Sequence, residues 1–372
     1  MKLPLPSRAA RLSRLRRLPF APALYTLKQR GVAAFLGPAA GVWHSFMGQH
    51  AKKGDARLLE VIERLHTDAL RQDHANADAG LYPWSLLAPL PGWHDVRFLP
   101  RAILDMPRIF ARKERNEFKV DPPAGTELAD LPSYYARAFH WQTDGWLSAH
   151  SAEIYELQVE FLFFGTMDVM RRRALAALVR ALGGDRKRMQ VKVLDVACGT
   201  GRFLEQARAA LPEAKLEGVD LSPFYVERAR ARLGREDGRG VRVGNAEALG
   251  GDDGIYDAVT CGFLFHELPR DARRQVVGEL FRLTEPGGVV IVQDSMQRVD
   301  PNGKELEVFL DWFPTAYHEP YYKGYVDDDL APVLEEAGFE ILTHDHVLFS
   351  KLLVAKRPLA KKPLAKKPLA VK

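Results

Sequence analysis

The stretch that most constrains this chain is residues 191–202, VKVLDVACGTGR. Val191, Val193, Leu194 and Val196 form a short apolar, β-branched run, the composition of a buried strand. Ala197-Cys198-Gly199-Thr200-Gly201 follows as a glycine-containing turn, and Arg202-Phe203-Leu204-Glu205 opens a helical pattern. Strand, glycine turn and helix in that order present backbone N–H groups and a helix N-terminus to a ligand at the edge of an α/β sheet.

The alternation continues downstream. Residues 202–210 read as a helix and 215–220 as a second strand. Ser222-Pro223 supplies an N-cap and a proline at the first helical position, opening a helix to about Leu233. Residues 241–243, 255–260 and 289–293 read as further strands. A helix at 270–283 is stopped by Pro286-Gly287-Gly288. An insertion over 294–325 precedes a helix at 327–337. Residues 340–343 and 347–354 then read as two strands joined across His344-Asp345-His346, hence antiparallel. The repeated alternation predicts a doubly wound, mostly parallel α/β sheet with an antiparallel last strand.

Upstream, residues 167–182 read as a helix with Met170, Ala174, Leu175, Leu178 and Leu182 on one side, ended by Gly183-Gly184. Residues 56–71 are amphipathic, with Leu58, Leu59, Ile62, Leu65 and Leu70 close to one face. Residues 82–132 carry many prolines and aromatics and predict irregular packing, with Asp121-Pro122-Pro123 as a linker. Residues 132–164 set Tyr134, Tyr135, His140, Trp141, Trp146 and Tyr155 beside polar groups. Two readings stay open for that segment: a cap whose aromatics fill a groove on the α/β domain, or a substrate-pocket wall at His140-Trp141-Gln142-Thr143-Asp144.

The charge is uneven. Residues 1–54 hold ten Lys/Arg and residues 351–372 hold eight, and neither stretch contains an acid. Removing these eighteen from the 53 basic residues leaves 35 against 48 acidic ones, a net charge of −13 over residues 55–350. An acidic body argues against a nucleic-acid partner, and the basic ends suit peripheral contact with an anionic membrane. Arg8, Arg11, Arg14, Arg16 and Arg17 among Leu and Ala also have the composition of an organellar transit peptide, which stays open beside a cytoplasmic location. No run is long enough to cross a membrane as a helix. Two cysteines, Cys198 and Cys261, are too few for a disulfide framework and read as small residues filling tight turns. No metal site is expected, and nothing sets an oligomeric state. Four regions result: a basic, poorly ordered or interfacial extension (1–54), an aromatic-rich helical or irregular cap (55–164), the α/β domain (165–355) and a Lys/Pro-rich disordered tail (356–372).

Asp195-x-x-x-Gly199-x-Gly201 is not a dinucleotide fingerprint. That fingerprint needs Gly or Ala three residues after Gly201, where Leu204 stands. The loop, with Asp220 nineteen residues after Gly201, Asn245-Ala246-Glu247 after the third strand and Tyr256-Asp257-Ala258-Val259 in the fourth, instead resembles the class I S-adenosylmethionine-dependent methyltransferases. Within that class it is similar to the small-molecule group containing the ubiquinone and menaquinone methyltransferases. The resemblance covers roughly half the chain and implies a seven-stranded Rossmann-like domain, S-adenosylmethionine as cofactor and methylation of a small, apolar or aromatic acceptor at O, C or N. RNA or protein methylation and a non-catalytic cofactor-binding scaffold are the rival readings. It further implies that Asp195, Ala197, Cys198, Gly199, Thr200 and Gly201 hold the methionine part, Asp220 and Leu221 the ribose, Asn245 and Ala246 the adenine, with Cys261 and Gly262 at the neighbouring strand end. His266, in Phe265-His266-Glu267, is the candidate base, and Tyr317 and His318 in the aromatic insertion are candidate catalytic groups.

Overall fold

The computed structural model describes residues 21–46, 56–90, 92–120, 131–142, 144–183 and 190–359. Four helices precede the sheet domain: α1 (Ala21–Phe46), α2 (Ala56–Asp78), α3 (Leu99–Arg115) and α4 (Ala149–Leu162). The domain itself runs α5 (Met167–Leu182), β1 (Lys192–Val196), α6 (Arg202–Ala210), β2 (Lys215–Asp220), α7 (Pro223–Asp237), β3 (Val241–Val243), β4 (Tyr256–Gly262), α8 (Arg270–Leu283) and β5 (Thr284–Ser295). It closes with α9 (Glu307–Ala316), α10 (Tyr322–Val326), α11 (Leu330–Glu336), β6 (Glu340–Val347) and β7 (Ser350–Lys356).

The strands form one seven-stranded sheet in the order β3-β2-β1-β4-β5-β7-β6. β1 to β5 are parallel, and β7 is antiparallel to β5 and β6. The central strands are buried almost throughout, as expected where helices cover both faces. The strand order reverses between β1 and β4, so the crevice at their carboxyl ends is the natural ligand position of such a sheet.

Several expectations are corrected. The 1–54 region is not without regular structure: α1 spans half of it. Pro22 sits at the helix start, where a missing N–H costs nothing. Tyr25 packs inward, donating its hydroxyl to Asp73, and Lys28 Nζ donates to the Pro89 carbonyl at 3.0 Å. Arg172 of α5 pairs with the same Asp73 at 2.7 Å, so a buried ion pair ties α1, α2 and α5 together. Residues 82–132 hide α3: Pro100 lies in its first turn, where proline is tolerated, and the helix absorbs Pro107 in its interior. The last hairpin turns at Leu348-Phe349, and His344, Asp345 and His346 lie inside β6. The Pro286-Gly287-Gly288 stop lies within β5, where the register with β4 slips between Tyr256–Thr284 and Ala258–Val289; α8 has already ended at Leu283.

The ordered domain extends past the expected 355 boundary. Lys356 ends β7, and the Arg357 guanidinium donates to the carbonyls of Phe281, Arg282 and Thr284. The Arg-rich run from Arg8 to Arg17, Asp121-Pro122-Pro123, Thr143, Gly184 and residues 360–372 of the expected tail lie outside the described residues. Among the described residues no helix is long and apolar enough to cross a membrane.

Candidate active site

β1 delivers Asp195 next to its carboxyl end, buried between β2 and β4. Its carboxylate accepts a 2.6 Å hydrogen bond from Thr260 Oγ1 on β4, and burial pushes its pKa up to about 7. The turn that follows needs left-handed backbone at Ala197 (φ 57°) and Gly199 (φ 54°). A Cβ on Gly199 would meet nothing within 4 Å, so this residue borders open space. Gly201 differs. At φ 76° its missing side chain would lie 3.0 Å from the Cβ of Ala229 on α7, so glycine here permits helix packing.

Asp220 ends β2 and ties the loop to it. Its Oδ2 accepts from the Gly199 N–H and its Oδ1 from the Ser222 N–H, each at 2.9 Å. Burial nevertheless pushes its carboxyl up to about 6. Beyond β3, Asn245 Oδ1 accepts from the Glu247 N–H at 3.0 Å, an Asx turn that presents Ala246.

These residues border two adjoining cavities. The first is lined on the sheet side by Ala197, Gly199, Asp220, Leu221, Asn245, Ala246 and Gly262. Tyr134, Tyr135, Phe139, Trp146 and Tyr155 form its opposite wall. The second shares Ala197, Gly199 and Gly262 and adds Asp195, Cys198, Thr200 and Cys261. Every expected cofactor-binding residue except Gly201 therefore borders one of the two. Both thiols are buried, and that burial pushes their pKa values up, so neither is a nucleophile.

The upstream segment packs against the α/β domain. Trp146 and Tyr155 pack edge-on against Tyr225 of α7 and also wall the first cavity. Glu156 of α4 and Arg171 of α5, which motif reading missed, line the second cavity. Arg171 donates to Glu156 at 2.7 Å, and Thr200 Oγ1 donates to the same carboxylate at 2.5 Å. Their signal in the sequence was charge on faces that are otherwise apolar: Glu156 and Glu160 in α4, Arg171 and Arg172 in α5.

A second polar cluster stands beyond Gly262. His266 lies on the short 3-10 turn Phe265–Glu267, and its Nδ1 is 2.6 Å from Asp294 Oδ1 on β5. Asp294 also accepts the Phe265 N–H at 2.7 Å, which locks the turn to the sheet. Burial disfavours the imidazolium, but the Asp294 carboxylate outweighs it and holds the His266 pKa up at about 9. His140, with a left-handed φ of 53°, enters from the cap. Its Nδ1 lies 3.1 Å from Glu319 Oε1, and burial lowers its pKa to about 3. Burial raises both Glu267 and Glu319. His140, His266 and Glu267 thus form a potential metal-ligand group that spacing along the chain had not marked.

A third cavity, larger than the other two and predominantly apolar, opens on the cap side of this cluster. Leu99, Ala102, Ile103, Met106 and Ile109 of α3 face Leu157, Val159, Phe161 and Leu162 of α4 across it. His140 lines this cavity and Glu267 lines the first, and their Nε2 and Oε1 atoms are 3.9 Å apart. Tyr317 borders the apolar cavity, stacked on Phe313 at 4.9 Å, rather than the loop. His318 stacks on Phe118 at 5.1 Å and lines none of the three cavities. Tyr317 therefore borders a neighbouring wall, while His266 and His318 line none of the three cavities; His266 stands behind Glu267, its Nε2 3.9 Å from Glu267 Oε1.

Residues 193–288 match the model of a methyltransferase domain family. A demethylmenaquinone methyltransferase from Halalkalibacterium halodurans is 34% identical over 130 residues, 33% of this chain, which thus spans about half (52%) of that relative's length. A second, from Thermotoga maritima, is 28% identical over 209 residues, covering 51% of this chain and 85% of the relative. Among solved structures, a putative methyltransferase from Bacillus halodurans is similar over 49% of this chain and 98% of its own, at 21% identity and a TM-score of 0.37. With its 3-2-1-4-5-7-6 sheet, its glycine loop and the acid at the end of β2, this chain carries at residues 193–288 a methyltransferase domain similar to those of the class I S-adenosylmethionine-dependent methyltransferases.

Proposed function

We propose that the protein methylates a small, apolar, quinone-like acceptor, using the two loop-side cavities for the cofactor and the large apolar cavity for the acceptor. The observation that carries this reading is the junction at His140 and Glu267, where the large apolar cavity meets the polar site at the sheet edge. Apolar lining with a few convergent polar groups suits a ligand with a long hydrocarbon part and one reactive end. The relatives named for demethylmenaquinone agree with such an acceptor.

When bound, S-adenosylmethionine supplies a methyl carbon on a sulfonium, released with the carbon–sulfur bond electrons passing to sulfur. The residues around it are suited to that group. Asp220 lines the first cavity, where it can accept from the two ribose hydroxyls, and Ala246 offers its backbone beside the adenine. Asp195, near neutrality at a pKa of about 7, loses its proton readily to the field of an ammonium group placed in the second cavity. Trp146 and Tyr155 line the cap side, where a sulfonium gains cation–π attraction and water is excluded. With both reactants held in line, orientation supplies a large part of the rate.

Two measurements test this. Calorimetric titration should show one S-adenosylmethionine site per chain. Labelled methyl transfer to hydroquinones should improve as an isoprenoid or alkyl tail is lengthened to fill the apolar cavity. Absence of cofactor binding would refute the whole reading, whereas transfer indifferent to the tail would remove the acceptor assignment.

A further inference from the structure

We infer that His140, His266 and Glu267 form a binding site for a divalent transition metal ion of the zinc class. The geometry is that of imidazoles prepared for ligation. His266 Nδ1 is held by Asp294 at 2.6 Å, and His140 Nδ1 lies 3.1 Å from Glu319. In both rings the buried carboxylate takes the Nδ1 side, which leaves the Nε2 atoms free to ligate. Both Nε2 atoms then converge on one oxygen: Glu267 Oε1 is 3.9 Å from each. Metal-binding histidines are characteristically oriented in this way, by a carboxylate on the ring nitrogen away from the ion.

The three ligand atoms lie within 4.8 Å of one another. Bonds of 2.0–2.1 Å in tetrahedral geometry place ligand atoms roughly 3.3 Å apart, so modest side-chain rotations close the site. Two imidazoles and one carboxylate match the three-ligand set of zinc sites that keep an open position.

A second observation points the same way. Glu319 is wholly buried, and neither of its oxygens makes a hydrogen bond among the described residues, nor does His140 Nδ1. A buried polar group left without a hydrogen bond in that position is costly. An ion bound through His140 Nε2 would polarise the ring, strengthen its Nδ1–H as a donor and give Glu319 its partner. His140 keeps a left-handed backbone to reach this place, a conformation unfavourable for a side-chain-bearing residue.

The site sits where the apolar cavity meets the first cavity. If the methyltransferase reading holds, the open coordination position faces the acceptor's reactive oxygen, which the ion would orient and make more acidic. His266 is then a ligand and not a free base.

The test uses tag-free full-length protein stripped with EDTA and dialysed. Zn²⁺ titrated calorimetrically should bind at one equivalent per chain and raise the melting temperature, and Co²⁺ should develop the visible absorption of a low-coordinate nitrogen–oxygen site. His140→Ala and Glu267→Gln should each weaken binding at least a hundredfold, and Glu319→Gln by about ten- to a hundredfold. His344→Ala, at the separate His344–Asp300 contact, should leave binding unchanged. Failure of wild type to bind one equivalent overturns the inference, and so does unchanged binding in His140→Ala and Glu267→Gln variants that melt like the stripped wild type. S-adenosylmethionine titrated into the same stripped sample separates the two conclusions. Cofactor binding without metal binding refutes only the metal site, and metal binding without cofactor binding refutes only the proposed activity.

Discussion

Replacing Asp220 with alanine is the sharpest perturbation of the cofactor site. In the free protein its carboxylate already accepts two backbone N–H groups, from Gly199 and Ser222, at 2.9 Å each. Its remaining lone pairs border the first cavity, where a ribose would present two hydroxyls. Hydrogen bonds to a charged partner are worth about 1.5–3 kcal/mol each. Loss of two such bonds, discounted for non-additivity, is about 3 kcal/mol, or roughly a hundredfold in Kd. The pH dependence carries an independent sign. Burial raises the Asp220 pKa to about 6, so the ionised form that accepts both hydroxyls is complete above about pH 7 and lost as pH falls through 6. At pH 5 about a tenth remains ionised, and this group's contribution predicts about a tenfold weaker Kd than at pH 7. Stability moves the other way. A folded pKa above the unfolded value of 3.8 means that ionised Asp220 destabilises the cofactor-free fold above about pH 6, and that cost disappears as pH falls toward 4. Calorimetry of wild type and Asp220→Ala at pH 5, 6 and 7.5 measures all three effects, with the difference between proteins isolating Asp220 from Asp195. Wild-type-like affinity in a folded Asp220→Ala variant, or a tenfold step that survives in it, would refute the assignment.

The two loop glycines should separate in opposite senses. Gly201→Val places a branched side chain at φ 76° and 3.0 Å from Ala229, and should cost about 2 kcal/mol or more of stability in thermal unfolding. Gly199→Ala, with open space around it, should melt closer to wild type yet bind S-adenosylmethionine at least tenfold more weakly by calorimetry. Met106→Asp puts a charge into the apolar cavity and should raise the KM for a long-tailed acceptor about tenfold or more while leaving cofactor Kd unchanged, since Met106 borders neither loop-side cavity. The basic ends should take the full chain down with vesicles containing anionic lipid at low salt and release it at high salt; sedimentation indifferent to lipid charge would remove the membrane assignment.

The sheet domain was legible because its signals are local. Strand composition, Ser222-Pro223 as a helix start and Asp220 at a strand end lie within a few residues of one another, and β2, β3, α6 and α8 occupy the residues expected of them. The misread places are those where packing overrides a local rule. Pro107 reads as a breaker, yet α3 runs through it because one face of the helix, with Ile109, packs inward. His344-Asp345-His346 reads as a turn, yet pairing with Leu353, Leu352 and Lys351 of β7 keeps it extended. Gly201 and Gly199 look alike as letters and differ only in what stands beside them.

By itself the chain determined the α/β alternation, the glycine loop and the acid at the end of the second strand, and the family these resemble implied the class of cofactor. The first three depend on neighbours in sequence or on a spacing that strand and helix lengths preserve. What only the tertiary structure decided is the polar cluster beyond the glycine loop. His140, His266, Glu267, Asp294 and Glu319 span some 180 positions and meet because a left-handed residue in the cap, a turn after β4, the end of β5 and the segment after α9 are folded onto one crevice. Burial then sets their chemistry. In the unfolded chain each would be an ordinary solvated imidazole or carboxylate. Withdrawn from water and packed within a few ångströms, they hold protons and orient rings in ways that no single stretch of sequence encodes.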